Sequence, residues 1–244
     1  MKYNTIIISD LHLGSKASRK DDILGFLENL ETNTLILNGD IIDGWSLARG
    51  SKWTKKDSKI IRKILKISET GTDVIWIRGN HDDFLKEFLP FYLGNIKIVE
   101  DYIHQYNQTR YYIFHGDVLD IFITKIKWLA YIGSIGYDIA LWINRWYNKW
   151  RSFRGLPYYS ISNDIKKGIK KATNFINDFE DNARRLAYQK GCTVAICGHI
   201  HHPAIKDHYL NSGDWCENCT ALAELKNGDW KLISYHSSEA VKSK

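Results

Sequence analysis

Five short runs of apolar residues punctuate the chain: TIIIS (5–9), TLILN (34–38), DVIWI (73–77), RYYIF (110–114) and TVAIC (193–197). Their near-continuous hydrophobicity is that of strands covered on both faces. Between the first three, DDILGFLENL (21–30) and DSKIIRKILKIS (57–68) carry apolar positions at helical spacing. Strands alternating with amphipathic helices predict an α/β fold. After residue 208 the pattern shortens to closely spaced strands and turns, and LKNGDWKLISYH (225–236) predicts a hairpin turning at Asn227-Gly228.

Residues 118–160 break this alternation and are expected to form an insertion in a single domain spanning 1–244. Trp142, Trp146 and Trp150 fall four apart, on one face of a helix, among Lys125, Lys127, Arg145, Lys149, Arg151 and Arg154. Indoles beside cations suit either packing onto the parent domain or peripheral contact with a membrane surface. A membrane span is not expected: LAYIGSIGYDIALWI (129–143) contains Asp138 and falls short of the roughly 20 residues required.

The 244 residues, 44 % hydrophobic and 25 % charged, are ordinary for a soluble globular protein. The net charge of +6 favours phosphate-bearing or other anionic partners. No secretory signal is visible at the amino terminus, so Cys192, Cys197, Cys216 and Cys219 are expected as cytoplasmic thiols. Cys216 and Cys219 form a C-x-x-C without the second pair that a zinc site needs.

Composition does not explain the polar motif at the end of each apolar run. SDLHLG brings Asp10 and His12, NGDIIDG brings Asp40 and Asp43, and RGNHDD brings Asn80 and His81. FHGD brings His115, and CGHIHHP brings His199, His201 and His202. Ligands of α/β sheets gather beyond the carboxyl ends of strands, so the five clusters are expected to converge. If the segments continue extended, residues i and i+2 share a side, which pairs Asp10 with His12 and His199 with His201 and turns His202 away. Carboxylate, amide oxygen and imidazole suit Mn²⁺, Fe²⁺ or Zn²⁺ better than thiolate-seeking ions. The donors are too many for one ion. Two ions about 3.5–4 Å apart, sharing a carboxylate and a hydroxide, would use seven such groups and could aim water at phosphorus. His104, His208 and His236 lack such surroundings and are expected to be surface or packing residues.

The ordered set D-x-H, G-D-x-x-D, G-N-H-D, H-G-D and G-H-x-H, spread over residues 8–202, resembles the calcineurin-like metallophosphoesterases. The resemblance implies a sandwich of two mixed β-sheets flanked by helices, with the insertion as a helical cap. It implies two divalent ions, taken as Mn²⁺ with Fe²⁺ or Zn²⁺ as the other candidates. One would be held by Asp10, His12, Asp40 and His201, the other by Asp40, Asn80, His115 and His199. It gives His81 the task of steadying the phosphoryl oxygens or protonating the leaving group, and Asp43 is placed to orient that imidazole.

The aromatic insertion, SNDIKKGIKKATNFINDFEDNARRLA (162–187) and YLNSGDWCENCTALAE (209–224) are similar to the UDP-2,3-diacylglucosamine diphosphatases and their relatives. That likeness implies a nucleotide-linked glycolipid substrate and release of UMP in lipid A synthesis, at the inner face of the plasma membrane. By motif position Asp120, Asn163, Lys166 and Lys167 would join Asn80 and His81 in contacting substrate. One departure stands out: the best-known members of that group carry Arg after the metal-binding Asn, where this chain has His81. A nuclease or cyclic-nucleotide phosphodiesterase of the same superfamily is the alternative, and a binding scaffold without turnover is a third reading; nucleic acid is not the expected partner, since the nuclease reading leaves the tryptophan-rich insertion without a task.

Overall fold

The computed structural model describes the backbone of residues 3–122 and 161–236, and the side chains of residues 3–119 and 173–236. β1 (Tyr3–Ile8), β2 (Thr32–Asn38) and β3 (Asp73–Ile77) lie parallel, with Ile7 opposite Ile36 and Ile36 opposite Ile75. α1 (Lys20–Glu28) follows β1, while α2 (Gly44–Ala48) and α3 (Lys55–Glu69) follow β2. The short edge strand β4 (Phe91–Leu93) pairs antiparallel with β5 (Ile96–Val99), which runs parallel to β3.

β6 (Tyr102–Tyr106) and β7 (Thr109–Ile113) form a hairpin that opens a second sheet. The long helix α4 (Ile161–Gln189) leads to β8 (Val194–Cys197), parallel to β7. β9 (Ala204–Lys206) and β10 (Tyr209–Asn211) complete that sheet, in the order β6-β7-β8-β10-β9. β11 (Thr220–Glu224) and β12 (Trp230–Ser234) return antiparallel to the first sheet, whose order is β12-β11-β1-β2-β3-β5-β4. Both sheets are mixed, as the motif resemblance implies.

The isoleucine run of β1 shows why its strand is apolar on both sides. Ile6 and Ile8 pack with Ile23, Leu27, Ile60 and Ile64 under α1 and α3, whereas Ile7 faces Ile36, Ile75, Ile113 and Ile196 between the sheets. Each fully buried side chain of this kind contributes about 1.5–3 kcal/mol relative to exposure. α3 starts on a capping box: Thr54 accepts from the Asp57 N–H, and Asp57 accepts from the Thr54 N–H at 2.7 Å.

The predicted hairpin is present, and Asn227-Gly228 lie in its turn, with Gly228 at a φ of 89°. Residues 225–229 form the connection, closed by Leu225 N donating to Asp229 O at 2.8 Å, and its first strand is 220–224. Leu225 and Lys226 belong to the turn because the TALAE run before them, buried throughout, takes the strand positions beside β1. The chain divides into two compact units, residues 1–118 with 183–244, and residues 119–182. Nearly all of the aromatic insertion, 123–160, lies outside the described residues.

Candidate metal centre

The loops after β1 and β2 run on side by side. Asp10 N donates to Gly39 O at 3.0 Å, His12 N to Asp40 O at 2.9 Å and Leu13 N to Ile41 O at 2.9 Å. From the loop after β3, His81 N donates to Asp40 Oδ1 at 2.8 Å. From the loop after β8, His199 N donates to Asp10 Oδ2 at 3.1 Å, and beyond β7 His115 Nε2 lies 3.2 Å from Asp40 Oδ2. Five loops distant in sequence therefore meet at Asp10 and Asp40, both buried.

Their ligand atoms form two groups. Those of Asp10, His12 and His201 lie within 4.8 Å of one another, as do those of Asp40, His115 and His199. His201 Nε2 is 3.1 Å from Asp10 Oδ1, and His199 Nδ1 is 3.3 Å from His115 Nε2. His12 Nε2 stands 3.9 Å from both Asp10 Oδ1 and Asp40 Oδ2, which sets Asp40 between the groups. His115 Nδ1 sits 2.9 Å from Asn38 O, leaving Nε2 to face the cluster. The Asn80 Oδ1 is buried without a hydrogen-bond partner. An unpartnered buried oxygen is costly unless something else satisfies it, and a cation would.

Extended backbone does not produce this arrangement. Asp10, His12, Asp40, His199 and His201 have φ of 55°, 47°, 54°, 65° and 51°, the left-handed region that glycine prefers. The local twist separates His199 from His201, sending one into each group, where continued strand geometry would have kept them on one side. His202 is exposed, as expected.

Burial by itself would push the Asp10 carboxyl up, but His201, His115 and His12 hold it well below the usual carboxylate range. Asp40 behaves alike, with His115 the main opposing neighbour. Burial pulls His115 down, yet the charges of Asp40 and Asp10 raise it to about 10. The acids thus demand positive charge. Ionised carboxylates, imidazoles and a free amide oxygen fit divalent cations of the Mn²⁺, Fe²⁺ and Zn²⁺ kind.

A third group flanks these two. His12, Asp43 and His81 also bring ligand-type atoms within 4.8 Å of one another. Here His81 Nδ1 lies 2.9 Å from Asp43 Oδ1, and the Trp45 ring covers the imidazole at a centroid distance of 4.2 Å. Asp43 also accepts from Ser46 N at 2.8 Å, capping α2. Burial would raise its carboxyl, but hydrogen bonds with His12, Ser46 and His81 hold it below the ordinary range.

The motifs also contain residues whose use is not evident in the sequence. Asp82, last of G-N-H-D, is fully buried and accepts from Asp40 N at 2.9 Å, Ile41 N at 3.2 Å, Gly79 N at 3.1 Å and Trp76 Nε1 at 3.1 Å. It locks the Asp40 loop to the Asn80 loop. Burial, then the Asp40 charge, push it up to about 6. Arg78 ties Glu100 Oε1 at 2.6 Å, Asp83 at 3.1 Å and Asp117 of H-G-D at 3.2 Å. A side chain on Gly79 would collide with Asp40 Oδ1, so that glycine is required by close approach.

Residues away from the donor groups have simpler roles. Cys216 and Cys219 are free thiols, raised by burial, Cys219 to about 11. His104, expected without a particular role, has a specific partner: its Nε2 is 3.0 Å from Oε2 of the buried Glu224, which also accepts from Thr5 at 2.8 Å. The side chains of Asp120, Asn163, Lys166 and Lys167 lie outside the described residues. Among the described residues no helix is long and apolar enough to cross a membrane.

The chain is similar to several known proteins. A UDP-2,3-diacylglucosamine hydrolase of Pseudomonas savastanoi pv. phaseolicola is 24 % identical over 244 residues, covering 93 % of this chain and 90 % of its own. One from Chromohalobacter salexigens is 25 % identical, covering 86 % and 88 %. The solved structure of a phosphoesterase from E. coli aligns over 95 % of this chain and 99 % of its own, at 12 % identity and a TM-score of 0.45. Residues 3–203 match the family described as calcineurin-like phosphoesterase, and the chain belongs to that family of metal-dependent hydrolases.

Proposed function

We propose that the protein hydrolyses UDP-2,3-diacylglucosamine at its uridylyl phosphate, adding water to give UMP and 2,3-diacylglucosamine 1-phosphate. The observation that carries the reading is the pair of donor groups joined at Asp40, with the His81–Asp43 pair at their flank and an unpartnered buried Oδ1 on Asn80, the neighbour of the His81 whose N–H binds Asp40. The substrate rests on the likeness, over most of both chains, to relatives named for it.

In this reading Asp10, His12, Asp40 and His201 hold one divalent ion, and Asp40, Asn80, His115 and His199 the other. Mn²⁺ is the proposed metal, with Fe²⁺ or Zn²⁺ as alternatives. Bound there, such ions supply Lewis acidity at phosphorus and water of lowered pKa. His81 donates a hydrogen bond to a phosphoryl oxygen and can hand a proton to the leaving group. Asp43 fixes its Nδ1 side, and the Trp45 ring lies over the imidazole at a tilt of 34°, so that Nε2 faces Asp40 Oδ2 at 4.0 Å. Asp120, Asn163, Lys166 and Lys167 are proposed contacts to the sugar and phosphates, and residues 118–160 a cap that receives acyl chains. Work on such a lipid would take place in the cytoplasm, peripherally at the inner face of the plasma membrane.

Purified full chain with Mn²⁺ is expected to release UMP from UDP-2,3-diacylglucosamine. Cleavage of an aryl phosphodiester without UMP release would overturn the substrate and favour the nuclease or cyclic-nucleotide alternative. Absence of any hydrolysis would overturn the catalytic reading.

A further inference from the structure

We infer that the loop 213–219, through Asp214 and Asn218, positions one half of the metal centre, the half built on Asp10 and His201. This rests on the reading that the two donor groups each take an ion. The loop is the C-terminal motif GDWCENC, to which the chemistry of the metal centre gives no task.

Asp214 is fully buried and organises the loop around its carboxylate. Its Oδ1 accepts from Cys216 N at 2.7 Å and from Glu217 N at 2.6 Å, and its Oδ2 accepts from Asn218 Nδ2. The same Nδ2 donates to the backbone oxygen of His201 at 3.0 Å. From the loop's other end, Trp215 N donates to the backbone oxygen of Asp10 at 3.1 Å. Trp215 is itself anchored: its indole is buried in the helix-side core, 5.0 Å from the Phe26 ring, and its carbonyl accepts from Arg19 N at 3.0 Å.

The loop therefore grips the main-chain carbonyls of two donors of one group, Asp10 and His201. Both have left-handed backbone, a conformation that persists in such residues only where neighbours over-determine it. The other half has its own supports. Asp82 holds Asp40 N and Gly79 N, and Arg78 holds Gly79 O at 3.0 Å. Asp40 serves both halves, whereas the hydrogen bonds of Asp214 and Asn218 run to their own loop and to His201, on the Asp10 side. His199 N, which donates to Asp10 Oδ2 at 3.1 Å, links the halves, but the side-chain bonds of Asp214 and Asn218 reach only the Asp10 side, so loss of Asn218 falls first on that half.

Asn218 is a positioning residue, so the test reads metal and not turnover. Full-length protein is titrated with Mn²⁺, following heat by calorimetry and spin coupling by electron paramagnetic resonance. Wild type is expected to bind two ions and develop the signal of a coupled pair. Asn218→Ala is expected to keep one site at wild-type affinity, to weaken the other by about 10- to 100-fold, and to show an isolated ion at one equivalent. Asp214→Asn should behave alike, and Asn218→Ala covers the case in which the buried acid cannot be replaced without unfolding. Asn80→Ala is expected to weaken the opposite site. Two undiminished sites in Asn218→Ala, or equal weakening of both, would overturn the inference. Absence of Mn²⁺ binding by folded wild-type protein would instead overturn the two-ion reading beneath it.

Discussion

His81 Nδ1 and Asp43 Oδ1 lie 2.9 Å apart, and that contact leaves the other ring nitrogen on the side of Asp40. An imidazole held in this way can exchange a proton without contributing to the metal's retention. His81→Ala is expected to lower kcat by about 10²- to 10⁴-fold while Mn²⁺ content stays at the wild-type level. Elemental analysis beside steady-state kinetics checks both halves. Loss of metal in that variant would make His81 a ligand.

Asp40→Ala should behave differently. Its carboxylate lies 3.2 Å from His115 Nε2, stands near His12 and accepts the His81 N–H at 2.8 Å. Removing it takes a donor from both groups at once and frees the loop carrying Asn80. The expected outcome is loss of turnover together with loss of both bound ions, read by the same elemental analysis.

Gly79→Ala drives a methyl group into Asp40 Oδ1 and Asp40 N. Neither atom can retreat without moving the Asp40 loop. Destabilisation of about 1–3 kcal/mol is expected, with metal affinity falling alongside it. Gly50→Ala is the control, since its new Cβ meets nothing within 4 Å. It should lose some stability through its positive φ but retain metal and activity. Chemical denaturation and Mn²⁺ titration of the two variants separate the effects.

Asp57 gives the fold a defined acid response. Burial would raise its carboxyl, but hydrogen bonds from Thr54, from Lys20 at 2.9 Å and from Gly14 N at 3.0 Å hold it below the ordinary aspartate value. A group depressed in the folded state stabilises above its unfolded pKa, about 3.9, and that contribution is lost as pH falls through the lower folded value. Asp57→Ala is expected to cost about 1–2 kcal/mol at neutral pH through the lost cap. It should also flatten the decline of stability below about pH 4, measured by urea unfolding across pH.

The five apolar runs and the donors after them are legible because burial on both faces writes an unbroken hydrophobic string, and its ends are marked by polar motifs. The supports of those donors are not. Asp82 stands in the G-N-H-D motif, yet its partners Asp40 N and Ile41 N are 42 and 41 positions away in sequence. Asn218 reaches His201 across 17 positions with no periodicity to announce it. Hydrogen bonds from side chain to distant backbone leave no pattern in a single chain. β6 is faint in the sequence for another reason: its inner positions are only half-buried and include His104, while the apolar Ile103 falls on the exposed face. The left-handed turns at the donors give no signal because aspartate and histidine disguise positions where glycine would ordinarily advertise a bend.

Those bends have an evolutionary side. At Asp10, His12, Asp40, His199 and His201 a glycine would relieve roughly 1–2 kcal/mol of conformational penalty per position, and each such exchange would delete a donor. Selection for heat resistance alone would therefore push these sites toward glycine, and under the proposed two-ion reading the side chains kept there are what selection for the reaction retains.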